Sequence, residues 1–144
     1  MPSIQRHALV PYPPDYMFKL VDNILLYPEF LPWCASTREL HRSEHCVEAS
    51  IELAKGAVRK SFTTRNEFRK NDKIEMKLVE GPFKYLQGFW KFDALDDGKA
   101  CRVSLDLDYE FSNRIVGMAI GPVFGSIANS LVDAFVNRAE AVYG

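Results

Sequence analysis

The residue types able to do chemistry are few in this chain and poorly clustered. His41, His45 and Cys46 lie close together in sequence and come nearest to a metal site. They fall on an expected strand, turn and strand, where side chains need not converge. A second cysteine at ligand spacing is missing. His7 sits on another expected strand and reads as a packed or surface histidine rather than a base. The acidic residues fall mostly at outward strand positions, which suits a solvated face better than a carboxylate pair. The chain has no Gly-rich phosphate loop at a strand-to-helix turn and no Gly-x-Ser-x-Gly elbow. These patterns point away from an enzyme, and no metal or catalytic cofactor is expected.

Two other patterns suggest binding. Thr64 and Asn66 share a strand face with Phe62 and Phe68. A buried amide without a partner costs roughly 1–3 kcal/mol, so it wants a ligand, a water or a neighbouring side chain. The alternative is that Asn66 lies near a strand end in solvent. On the opposite face of the same stretch stand Arg59, Arg65 and Arg69, with Lys55, Lys70 and Lys84 nearby. Such a stripe can meet a phosphate backbone. Taken alone it reads better as a solvated face, because Glu67 interrupts it and the formal net charge is −1.

The elements that would position these residues follow from periodicity. Ser3 to Val10 alternates as a strand, and Tyr12-Pro13-Pro14 stops it. Asp15 to Leu26 has helical spacing through Met17, Phe18, Val21, Ile24 and Leu25. The aromatic, proline-broken stretch Tyr27 to Cys34 predicts a turn or a second small helix. From Ser36 the period becomes two. Strands are expected at 36–42, 46–54, 58–69, 73–79, 85–95 and 100–111, divided by turn residues at Gly56, Asn71-Asp72, Gly81-Pro82 and Asp96-Asp97-Gly98. Tight turns imply an antiparallel meander with one polar face and one apolar face.

The apolar face needs a cover, and Asn113 to Tyr143 is long enough to supply it. No charge occurs from Ile115 to Val132, a length that also fits a membrane span. A helical projection argues for a core helix instead. Phe124, Ile127, Ala128, Leu131, Val132, Phe135, Ala139 and Val142 share one face, while Ser126, Asn129, Ser130, Asp133, Asn137 and Glu140 share the other. The architecture is therefore α+β, a bent antiparallel sheet wrapped around a long C-terminal helix, with a short helical insert after the first strand. Gly117, Gly121 and Gly125 recur every four residues along that helix, and Gly88 lies between Leu86 and Trp90. Two readings remain open. Either these glycines leave room for an apolar molecule with Thr64 and Asn66 as polar handles, or they allow close packing in a filled core.

At 144 residues the chain is one domain, 1–144, with no linker or repeat. Its three cysteines are an odd number without paired spacing, which suits a reducing compartment. No apolar signal segment or Arg/Ser-rich presequence opens it, so a cytoplasmic protein without a transmembrane segment is expected.

Tyr27-Pro28-Glu29-Phe30-Leu31-Pro32-Trp33-Cys34 resembles a hallmark of a START-like family. That family contains the ribosome association toxin RatA and the mitochondrial coenzyme Q-binding proteins. Gly81-Pro82-Phe83-Lys84-Tyr85-Leu86, continuing through Gly88, Trp90 and Phe92, resembles its second hallmark. Val132-Asp133-Ala134-Phe135 with Arg138-Ala139 is similar to its terminal helix. The resemblance covers essentially the whole chain and implies the helix-grip fold. It also implies a hydrophobic ligand between sheet and helix, typically ubiquinone or a similar polyprenyl quinone. Trp90 and the Pro28–Trp33 segment, with Phe30 and Trp33, would line or gate the pocket. Phe62, Leu86, Phe92, Leu105, Phe124, Leu131 and Phe135 would bury the tail, and Thr64 or Asn66 would meet a quinone carbonyl. The family divides between quinone carriers that support respiration and toxins that bind the large ribosomal subunit and block subunit joining. For the second branch, Arg59, Arg65 and Arg69 are the candidate contacts. The implied location is the bacterial cytoplasm, peripheral to the inner membrane where a carrier touches its surface to load ligand.

Overall fold

A computed structural model describes residues 3–144; residues 1 and 2 of the single-domain span lie outside them. Seven antiparallel strands form one sheet in the order β1-β7-β6-β5-β4-β3-β2. They are β1 (Ser3–Val10), β2 (Cys34–Arg42), β3 (Cys46–Lys55), β4 (Val58–Arg69), β5 (Lys73–Glu80), β6 (Phe83–Leu95) and β7 (Ala100–Phe111). Strands β2 to β7 are a meander, and β1 returns to pair with β7 from Ser3↔Asp108 to Val10↔Cys101. Alternation along β7 buries Cys101, Val103, Leu105, Leu107 and Tyr109 beneath the helical layer.

The helical insert is more broken than its spacing predicts. Helix α1 (Pro14–Asp22) ends at Asn23, whose φ −84° and ψ 69° leave the helical region. A 3₁₀ turn at Ile24–Leu26 and a short α2 (Tyr27–Phe30) follow, with Pro28 in the first turn of α2. The expected single helix to Leu26 is thus corrected, and Leu25 points outward at 53% exposure. The insert buries Met17, Phe18, Val21, Ile24, Tyr27 and Leu31.

Helix α3 (Arg114–Tyr143) runs across the apolar face, capped by the Asn113 side chain accepting from the Val116 N–H at 2.9 Å. Phe124, Ile127, Ala128, Val132, Phe135 and Ala139 are buried as the projection requires. Val142 is a correction. It lies exposed on the last turn, where Tyr143 makes the contacts instead, against Tyr12 and Tyr16. By length and composition α3 could cross a membrane; its inner stripe packs into both apolar clusters that the sheet forms.

The glycines prove to be packing devices. A Cβ on Gly88 would stand 2.1 Å from the Asp106 carbonyl oxygen and 2.9 Å from Leu107 Cα, so no gap lies between Leu86 and Trp90. On α3, a Cβ at Gly117 or Gly121 would meet Phe111 at 3.6 Å, and one at Gly125 would meet the Tyr109 hydroxyl at 3.8 Å. The strip is filled by aromatic rings of β7.

Candidate functional site

A cavity of about 90 Å³ nonetheless remains between the sheet and α3. Strand alternation brings Phe62, Thr64 and Asn66 of β4 to one wall, with Ile51 and Leu53 of β3 beside them. Met76 of β5, Leu86 and Trp90 of β6, and Leu105 and Leu107 of β7 continue the floor. Helix α3 closes the roof with Phe124, Ile127, Ala128, Leu131 and Phe135, and the insert adds Val21, Ile24, Tyr27 and Trp33.

Ten of the twelve residues expected to bind a ligand line this space: Trp33, Phe62, Thr64, Asn66, Leu86, Trp90, Leu105, Phe124, Leu131 and Phe135. Phe30 and Phe92 do not. Phe30 packs outside the roof, its ring against Tyr27 and Phe135 and beneath the Arg138 guanidinium at 4.9 Å. Phe92 is buried further along β6, edge-on to Phe18. Val21, Ile24, Tyr27, Ile51, Leu53, Met76, Leu107, Ile127 and Ala128 were not singled out from sequence. Their patterns mark most of them as inward, but every inward residue carries that mark, so periodicity cannot separate cavity wall from filled core.

The chemistry of the lining is sparse. Thr64, 7% exposed, donates from Oγ1 to Asn66 Oδ1 at 3.1 Å. Asn66 lies mid-strand between Val47 and Met76 and is half-buried, so the solvated strand-end reading does not hold. Its carbonyl already has a partner, which removes the energetic demand for a ligand there. Tyr27 donates its hydroxyl to the Val21 carbonyl. Burial, and then the charge of Asp22, pushes its pKa above the ordinary tyrosine range. No carboxylate, amine or imidazole is among the described lining residues. Such a wall can hold an apolar body and offer a hydroxyl and an amide, but it has no group poised for proton transfer at neutral pH.

Outside Trp33 lies a second depression of about 570 Å³, between Leu31–Trp33, the Ala54–Gly56 turn, and Ser130, Asp133, Ala134 and Asn137 of α3. Trp33 borders both spaces, the one residue common to their linings among the described residues.

The arginine stripe is present on the outer face of β4, but it is neutralised. Arg59 reaches Glu52 at 3.3 Å, Arg65 reaches Glu48 at 3.5 Å and Glu67 at 3.4 Å, and Arg69 reaches Asp72 at 3.4 Å. Pairs this exposed are weak and screened by salt, so an incoming phosphate would have to displace a carboxylate at each arginine. His41, His45 and Cys46 do not converge into a metal site, and no group of three such ligands occurs among the described residues.

An antiparallel sheet gripping a long C-terminal helix over an apolar cavity defines the START-like class of ligand-binding folds. The chain belongs to the polyketide cyclase/dehydrase and lipid transport family, whose model matches residues 10–136. It is 45% identical to a ribosome association toxin RatA of Pseudomonas aeruginosa, over 98% of this chain and 97% of that one. To a RatA of Escherichia coli K12 it is 44% identical, over 99% and 90%. A mitochondrial coenzyme Q-binding protein of Dictyostelium discoideum is 24% identical over 92% of this chain and 66% of its own. The crystal structure of an aromatase/cyclase from Streptomyces sp. R1128 superposes with a TM-score of 0.84, at 14% identity over 96% and 93% of the two chains, which speaks to the fold alone.

Proposed function

We propose that this chain carries a hydrophobic, ring-bearing isoprenoid, with ubiquinone the first candidate, in the cavity beneath α3. One observation supports this above others: a pocket with an apolar wall whose polar groups are Thr64, Asn66 and Tyr27. A relative named as a coenzyme Q-binding protein supports the choice of quinone. The driving force is desolvation. One isoprene unit has five carbons, and burying them contributes roughly 4 kcal/mol. The resting cavity, at about 90 Å³, is smaller than the ~150 Å³ void that admits a benzene ring in an engineered core. Loading therefore requires the wall to yield, and Trp33, common to both linings, is the side chain that would move to admit ligand from the outer groove. Thr64 and Asn66 would then exchange part of their mutual hydrogen bond for a quinone carbonyl. The reading needs no enzymatic step.

Mass spectrometry of an organic extract of the purified protein, with titration of a short-chain quinone, tests this. Binding in the micromolar range is expected. No quinone in the extract and no binding at high micromolar ligand would overturn it.

A second reading is ribosome association, with the large subunit as partner. It is favoured by 44–45% identity over nearly the full chain to relatives bearing that name. Identity weighs toward this activity and geometry toward the ligand, and one protein can carry both. Cosedimentation with large subunits that falls steeply with salt is the expected result. Retained cosedimentation after charge reversal of Arg59, Arg65 and Arg69 would remove that face as the contact.

A further inference from the structure

The outer side of α3 is unusual where its inner side is ordinary. In the most apolar 18-residue window of this helix only 28% of the residues are buried. Ile115 is 80% exposed and Met118 is 73% exposed, among the exposed large apolar residues of the protein. Ala119 and Pro122 are exposed too. These four stand at i, i+3, i+4 and i+7, one continuous outward stripe over the first two turns. The Ser112 N–H donates to the Pro82 carbonyl at 3.0 Å, which ties the β5–β6 turn to the same end of the molecule. Exposed Val79 lies near the end of β5, with exposed Glu80 between it and that turn.

Charge selects the occupant. Arg114, at the head of the stripe, is exposed and makes no ion pair among the described residues. Lys84 borders the same depression as Met118 and is held by Glu110 at 3.7 Å. No carboxylate occurs on α3 before Asp133. The positive end of the helix dipole also lies here. An apolar stripe headed by one unpaired cation suits an anionic lipid surface. Two helical turns are only about 11 Å long and a helix about 10 Å wide, a strip on the order of 100 Å², well short of the ~800 Å² per partner that a stable protein interface buries. Pro122 cannot donate to the Met118 carbonyl, which suits lodging at headgroup depth where water remains, not in hydrocarbon.

We propose that the first two turns of α3, with Ile115 and Met118 as the inserting groups and Arg114 as the headgroup contact, dock this protein transiently on an anionic membrane surface. The same helix lines the cavity from its other side through Phe124 and Ile127. That the contact serves to collect a lipid-soluble ligand rests on the carrier reading; the contact itself does not.

The test is flotation of the full chain with phosphatidylcholine vesicles, with and without phosphatidylglycerol, alongside short-chain quinone titration in solution. The wild-type protein should float with the anionic vesicles, less so as salt rises. Ile115→Glu with Met118→Glu should weaken flotation by at least about tenfold, because two inserting side chains are lost. Both sites are solvent-exposed, so quinone titration and the unfolding midpoint should not move. Arg114→Glu should remove the preference for phosphatidylglycerol. Equal flotation of the double variant, or no flotation of the wild type on anionic vesicles, overturns the proposal. So does a concentration-dependent dimer that the double variant abolishes, which would assign the stripe to a second copy. Flotation without any quinone binding would sink the carrier reading and leave this one standing.

Discussion

Ala128 offers a test that separates fold from function. It is 1% exposed, sits on the inner stripe of α3 and faces the cavity. An empty void costs on the order of 24 cal/mol per Å³, so about 90 Å³ carries roughly 2 kcal/mol of unrealised stability. Ala128→Leu adds three carbons on a helix former and fills most of that space. Stability should rise by up to about 2 kcal/mol, less whatever strain the new rotamer meets. The same substitution should abolish quinone binding, since the ring and the leucine claim one volume. Urea unfolding gives the first quantity, and quenching of Trp33 and Trp90 by short-chain quinone gives the second. The two are expected to move in opposite directions, as for a site kept open at the expense of stability. A variant destabilised by more than about 2 kcal/mol that still binds quinone normally would show that the cavity is neither the void nor the site described here.

The glycines predict a second contrast: Gly88→Ala drives a Cβ into the backbone of β7 and should cost about 3 kcal/mol or more, while Gly125→Ala meets only ordinary contact and should gain up to about 1 kcal/mol in thermal unfolding. Gly121 is a poorer choice, because a Cβ before Pro122 opposes the helical conformation. Trp90→Ala, at a site 4% exposed and packed edge-on to Phe135, should cost about 3–5 kcal/mol, so half-buried Leu131→Ala is the cleaner probe of affinity by quinone titration. A hydrogen bond from Lys91, with its charge, holds the Asp72 carboxyl below its ordinary range. A depressed carboxyl contributes stability that is fully present above its unfolded pKa, near 3.9, and is lost as pH falls through the folded value. Lys91→Met should therefore destabilise at neutral pH and flatten the acid limb below about pH 4 in urea titrations; an unchanged limb would refute the coupling.

Much of this protein was legible in its sequence. Period-two patterns located six strands after the insert, and β1 and β7 fell at their observed bounds. The charge-free stretch from Ile115 to Val132 was readable as a helix with a core-facing stripe, because burying a 3.6-residue periodicity needs only local geometry. The start of β6 at Phe83 was missed because a bulge between Phe83 and Tyr85 puts Phe83 and Leu86 both inward, breaking the alternation. The break at Asn23 was missed because apolar spacing continues through it.

Tertiary structure decided the rest. Whether a glycine leaves a void depends on what arrives from another strand: Gly88 faces β7 backbone, and the α3 glycines face Phe111 and Tyr109. Whether Asn66 lacks a partner depends on the rotamer of Thr64, and whether Arg59, Arg65 and Arg69 form a free stripe depends on carboxylates that the β3 and β4–β5 registers bring alongside. Alternation along a chain tells which side chains point inward. Only the fit of two curved surfaces tells where they fail to meet, and that failure beside Ala128 and Trp33 is the cavity.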